Sequence, residues 1–320
     1  MSRSPAQEQL VQYLADAHSI EEQALVQMRR ASGLAGDPRL GAAFEEHLVE
    51  TERHEQLVRS RLEANDADPS RLKDLAGKAG GWGMLLFAKT QPDTPGKLTT
   101  HAYSYEHMEL AAYELLGRAA TAAGDEETAS MANAIAAEEG RMGERLEGLF
   151  DAAVEASLRD LDPADLDEQL NDYLADAHAI EQQALQLLEA GPGLVDDDGL
   201  GALFEKHLEE SRGHARLVSE RLEARDGGAS KLKDLALRAG GLNIGAFFGA
   251  QPDTTPKLAG FAYAFEHLEI AAYELLKRVA ARAGDEQTVR VAETILAEER
   301  GVASAIASTW DRTMRERMST

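Results

Sequence analysis

The chain repeats itself without a gap. At an offset of 160 residues, "YLADAHSIEEQAL" from residue 13 meets "YLADAHAIEQQAL" from 173, and "EHMELAAYELL" from 106 meets "EHLEIAAYELL" from 266. A tandem duplication of this kind implies two copies of one folding unit, so anything inferred for one half must hold twice. Eight of the nine histidines pair at the same spacing: His18 with His178, His47 with His207, His54 with His214, and His107 with His267. Only His101 is unmatched, facing Phe261.

Each half reads as a series of amphipathic helices, and a composition with 5% aromatics, nine prolines and abundant Ala, Leu and Glu leans the same way. Two long helices are expected over 5–31 and 37–64, and two more over 97–122 and 126–156, the latter pair broken at "AAGDEE". Between them runs a less regular stretch with a short helix near "LKDLAGKAG", an apolar "WGMLLF" and the breaker "QPDTPGK". The expected fold is all-α: two tandem four-helix bundles, each with one long crossover between helices two and three. The expected domains are 1–158 and 166–320, joined by a linker, "RDLDPAD", at 159–165.

A formal charge of −24 and the lack of any Lys/Arg run of five or more argue against nucleic acid and anionic membrane surfaces as partners. The polar start "MSRSPAQEQL" and the absence of an apolar run of spanning length lead to a cytoplasmic expectation. With no cysteine, a metal would have to be held by carboxylates and imidazoles.

Projecting each helix at 100° per residue places carboxylates inside apolar stripes. Glu21 falls at the centre of Leu10, Leu14, Ala17, Leu25 and Met28, and Glu181 repeats it. Glu109 is central among Leu98, Ala102, Tyr105, Ala112 and Leu116, with Glu106 about 60° away. Glu139 lies among Ala132, Ile135, Leu146 and Phe150, while Glu138 turns away. Helix two sends His47 and His54 inward, with Glu50 on their flank. The counterparts are Glu210, His207, His214, Glu266, Glu269 and Glu299. One unpaired buried carboxylate costs several kcal/mol, and repulsion among four adds to that. No Lys or Arg lies near the centre of these stripes, so two divalent cations per bundle, iron or manganese, are the expected partners.

The inward Glu of helix one, "HLVET" in helix two, "EHMELAAY" in helix three and the paired Glu of helix four resemble the ferritin-like superfamily, most closely the YciE/YciF-type bacterial stress proteins. The resemblance covers nearly all of each half. It implies a four-helix bundle with a dinuclear metal site and a role in stress responses, with peroxide or oxygen as the small-molecule oxidant, as in rubrerythrins and ferritins. The chain departs from the usual Glu-x-x-His on helices two and four: Arg53 follows Glu50 at that spacing, Met142 follows Glu139, and Val302 follows Glu299. The missing helix-four histidine favours the alternative, a non-catalytic stress or assembly protein with a structural or vestigial metal site. An iron-storing cage is a weaker third reading.

His47 and His54 stand about two turns apart, roughly 10 Å along the helix, so one is expected as a ligand and the other as an imidazole orienting a carboxylate. Glu106 is either a bridging or switching ligand or a flank acid. His18 is expected to orient or simply pack, and Tyr105 and Tyr113 to be core aromatics with satisfied hydroxyls. His107 projects about 160° from Glu109 and is expected at an outer interface, where the two halves would pack as a pseudo-dimer. Matching ligand sets predict two equivalent sites; a homo-oligomer is left open.

Overall fold

The computed structural model describes residues 3–67, 95–225, 248 and 253–318. Among them the regular structure is helical throughout. In the first half α1 (Pro5–Leu34), α2 (Pro38–Ala64), α3 (Pro95–Ala123), α4 (Glu126–Glu147) and α5 (Phe150–Leu158) follow one another. The second half repeats them as α6 (Leu166–Ala190), α7 (Asp198–Ala224), α8 (Thr254–Ala283), α9 (Glu286–Ala307) and α10 (Trp310–Met318). The short helix and the "WGMLLF" segment expected in the crossover lie outside the described residues; of the breaker, Pro95 already opens α3, and in the second copy Asp253, with a φ of 56°, precedes α8.

The helix ends are written locally. Ser4 and Gln7 form a reciprocal capping box ahead of Pro5, and Asp37 caps the start of α2 before Pro38. At "AAGDEE" Gly124 takes a φ of 75°, and Asp125 then accepts from the Thr128 amide to start α4. Arg61 of α2 grips both oxygens of the same Asp125, at 2.9 Å each, so one carboxylate both caps α4 and ties it to α2. Arg221 and Asp285 repeat the arrangement.

The pairing of the helices fixes the topology. Arg145 meets Glu46 while Arg61 meets Asp125, so α2 and α4 are antiparallel neighbours. Since α1–α2 and α3–α4 are both short-looped hairpins, α2 and α3 must run the same way. The end of α2 and the start of α3 therefore lie at opposite ends of the bundle, as in a ferritin-like arrangement with one long connection.

The fourth helix is not the continuous 126–156 segment expected. The ladder stops at Gly148 and Leu149, where the Leu149 amide bonds Leu146 only three residues back, and α5 begins at Phe150. The second half breaks at Ser308 and Thr309 in the same way. Phe150 is buried, and Asp151 accepts from Arg278 of the other half at 2.9 Å. Asp311 of α10 reciprocates with Arg118, at 2.6 Å.

The halves pack through α3 and α8, which are buried on nearly every side. Ser104 donates to the Ala264 carbonyl at 2.7 Å. His107 stacks on His267 with ring centres 3.6 Å apart, which puts His107 at the interface expected for it. Gly143 makes room for that ring, since a Cβ there would come within 2.8 Å of it.

Two related ion pairs also cross the interface, in different settings. Lys257 meets Asp16 at 2.7 Å with both side chains about 5% exposed or less, whereas Lys97 and Asp176, 3.2 Å apart, are 29% and 41% exposed. Removing one partner of a buried pair strands a charge, while a solvated pair contributes little. Lys257→Met should therefore lower unfolding stability by about 3 kcal/mol. Lys97→Met should cost less than about 1 kcal/mol. Denaturant titration of the two variants checks the contrast, and equal losses would contradict it.

Candidate metal centre

Helical spacing brings the site together from four directions. On α2, His47, Thr51, His54 and Val58 share one face, and the Thr51 hydroxyl donates to the His47 carbonyl at 3.0 Å. On α3, Glu106 and Glu109 sit among Ala102, Tyr105 and Tyr113; on α4, Glu139 sits between Ile135 and Met142; on α1, Glu21 sits among Ala17, Ile20 and Ala24. All four glutamates are at most 1% exposed, and so are both imidazoles.

These side chains fall into two groups that share a member. One ligand atom each from His47, Glu106, Glu109 and Glu139 lie within 4.8 Å of one another, and so do atoms from Glu21, His54 and Glu139. Glu139 faces both. The second bundle repeats the pair with His207, Glu266, Glu269 and Glu299, and with Glu181, His214 and Glu299.

Both imidazoles point inward, which revises the division expected between a ligand and an orienting residue. The two rings are 6.5 Å apart and each serves a different group, so their separation along the helix distributes them instead of excluding one. Helix four needs no histidine here, because α2 supplies an imidazole to each group.

Each ring turns its other nitrogen outward to a rim carboxylate. Nδ1 of His47 meets Glu50 at 3.0 Å, and Nε2 of His54 meets Glu138 at 2.6 Å. The structure thus places Glu50 behind its imidazole and outside both groups, and Glu210 likewise behind His207 at 3.2 Å. Glu138, read from the sequence as turned away, instead orients His54, and Glu298 does the same for His214 at 2.7 Å. The signal for both was the Glu-Glu doublet: neighbouring residues stand 100° apart, so one faces the centre and the other its rim. Carboxylates in this position hold the tautomer and orientation of a ligating imidazole.

Tyr113 donates its hydroxyl to Oε1 of Glu21, and Tyr105 donates to the Ile20 carbonyl at 2.9 Å. His18 stands apart, with Nε2 3.0 Å from Glu55 between α1 and α2.

The inner atoms are close but not hydrogen-bonded. Nε2 of His47 lies 2.9 Å from Glu106, and Nδ1 of His54 lies 2.8 Å from Glu139, yet neither contact has hydrogen-bond alignment. Both oxygens of Glu106, Glu109 and Glu139 and one of Glu21 have no hydrogen-bond partner. Buried carboxylate oxygens left in this state are costly. A convergent set of oxygen and imidazole donors without sulfur suits hard or borderline divalent ions, so these His/Glu groups could bind metal.

Without a cation, protons take its place. Burial, followed by repulsion from Glu139, lifts Glu21 to about 8. Burial lifts Glu106 to about 7 against the pull of His47, and it raises Glu109 well above the carboxylate range with three neighbouring acids adding to it. Burial opposes charge on the imidazoles, yet Glu106 and Glu139 hold His47 up at about 10, and Glu139 and Glu21 hold His54 at about 9. The second bundle matches this with Glu181 at about 8 and His214 at about 9, whereas His207 and His214 hold Glu299 down to about 2 against its burial.

These shifts have one sign above pH 6.5. A histidine raised from 6.5 to about 10 contributes stability that is complete below 6.5 and lost as pH rises towards its folded value. A carboxylate raised from 4.5 to about 8 also favours the folded state less as pH climbs through that window. Cations expel these protons and bind more tightly as pH rises. The rise in melting temperature produced by anaerobic Mn(II) should therefore grow between pH 6.5 and 8.5. Parallel melts with and without the ion measure it, and a constant difference would contradict the proton-filled description.

The family described as a domain of unknown function, DUF892, which has a ferritin-like fold, matches the chain twice, over residues 5–159 and 165–319. No solved structure matches the chain. Among the described residues no helix is long and apolar enough to cross a membrane.

Proposed function

The chain belongs to the DUF892 family over both halves, and on that footing we propose that it is a ferritin-like metalloprotein carrying one dinuclear iron or manganese centre per bundle. We assign its activity to redox chemistry with peroxide or oxygen in stress protection, as the likeness to YciE/YciF-type proteins suggests.

The observation that carries this reading is the shared carboxylate between two convergent groups of unpaired donors. Two divalent ions would balance the charge of four carboxylates, the two neutral imidazoles would be further donors, and Glu139 or Glu299, a member of both groups, would serve both ions. In this assignment His47, Glu106 and Glu109 complete one position, and Glu21 and His54 complete the other. Bound iron or manganese would supply a reversible one-electron change and an acceptor for oxygen ligands. The chain's own part is to hold the donors, to orient each imidazole through Glu50 and Glu138, and to keep a proton on Tyr113 beside Glu21. The second imidazole on α2 weakens the argument for a vestigial site, because each position retains a nitrogen donor.

Elemental analysis of protein purified without chelator tests the proposal. Two dinuclear centres require close to four iron or manganese ions per chain, and none after anaerobic reconstitution would end the metal reading. A sharper outcome follows from the shared acid: Glu139→Ala should remove about two ions per chain, whereas Glu21→Ala should remove about one. Equal losses from both variants would argue against a bridging Glu139. Peroxide consumption by reconstituted protein, with a reductant present, then separates a catalytic centre from a structural one.

A further inference from the structure

The two groups within each bundle are unequal in the donor atoms they offer. The shared carboxylate is divided between them, with Oε2 of Glu139 3.4 Å from Nε2 of His47 and Oε1 2.8 Å from Nδ1 of His54. With one oxygen of Glu139 assigned to each side, the His47 group has six buried donors free of hydrogen bonds: that oxygen, Nε2 of His47, and both oxygens of Glu106 and of Glu109. The His54 group has three: the other oxygen of Glu139, Nδ1 of His54 and Oε2 of Glu21.

A tyrosine accounts for part of the shortfall. Tyr113 donates to Oε1 of Glu21, whereas no hydrogen bond reaches either oxygen of Glu106 or Glu109. Counting that engaged oxygen as well still brings the His54 group only to four. The second bundle keeps the pattern: Oε2 of Glu299 lies 3.2 Å from Nε2 of His207, Oε1 lies 2.8 Å from Nδ1 of His214, and Tyr273 donates to Oε1 of Glu181 at 2.5 Å. Apart from the imidazoles and the shared acid, Glu266 and Glu269 bring three oxygens free of hydrogen bonds to one group, and Glu181 brings one to the other.

Resting on the metal reading above, we propose that the two ions of each bundle have separate duties. The positions at His47 and His207 are closed and hold their ion tightly, while those at Glu21/His54 and Glu181/His214 keep open coordination and are where peroxide or another small ligand binds. A six-coordinate divalent ion can be satisfied by the first set of donors alone, but in the second it must recruit ligands from outside the chain. Closed sites serve structure, and open ones leave room for a substrate. The additional carboxylate also gives the closed position the higher affinity, since binding of hard cations strengthens with the number of charged ligands. The two bundles remain equivalent to each other; the two positions inside each do not.

The test titrates the metal-free full chain with Co(II) alone, without oxygen, followed by visible absorbance, with sodium azide as the small-ligand probe. The first two ions per chain should bind about tenfold or more tightly than the next two. Azide should leave the Co(II) spectrum unchanged at two ions per chain and shift it at four. Joint Glu21→Ala and Glu181→Ala should keep the two tight ions and abolish the azide shift, and the retained ions report that the variant has folded; if it does not fold, the wild-type titration decides alone. One indistinguishable phase for all four ions, an azide shift already at two ions or in the folded variant, or an unchanged spectrum at four ions overturns the division of duties and leaves metal binding intact. Failure of the wild-type chain to bind Co(II) overturns the metal reading beneath it.

Discussion

Four carboxylates packed into the dry centre of each bundle are the constraint on which the rest depends. None can remain charged there without a compensating proton or cation, because burial and mutual repulsion act in the same direction. Every long helix contributes to this centre. Helix α1 brings Glu21, α3 brings Glu106 and Glu109, α4 brings the shared Glu139, and α2 brings both imidazoles. The apolar packing around them can be close and regular only because the polar atoms converge on two points instead of scattering through the core.

The rim explains how so concentrated a centre keeps its geometry. Each imidazole is held from outside by a carboxylate that reaches solvent, Glu50 or Glu138 in the first bundle and Glu210 or Glu298 in the second. Such outer partners can change in charge environment without disturbing the inner atoms. The two halves diverge in that outer layer: Arg53 and Arg141 become Gly213 and Gly301, and Glu46 becomes Lys206.

Helices α3 and α8 couple the centres to the assembly of the halves. On α3, Glu106 and Glu109 face one way, and His107 faces the other to stack on His267. This accounts for a helix segment written twice with its carboxylates inside an otherwise apolar sequence. One face binds, the other joins, and burial of both leaves little of the helix in water. The imidazoles at the joint accordingly favour the neutral form, since burial pulls His107 down to about 4 and holds His267 well below the usual imidazole range.

The repeat, the helical class, the crossover and the inward positions of Glu21, Glu109 and Glu139 were legible in the sequence, because each is a matter of spacing along one helix. Even the interface role of His107 followed from its angle to Glu109. Three things depended on the tertiary structure. The break of α4 at Gly148 and Leu149, after which Phe150 is buried and Asp151 meets Arg278 of the other half, was not read from the helical periodicity. Glu50 and Glu138 both stand behind an imidazole instead of in their expected places, because helical projection gives an angle but not the distance to a neighbour. The division of His47 and His54 between two groups depends on where α1, α3 and α4 present their acids along the bundle. That depth is set by how helices pack against one another, and a single helix does not encode it.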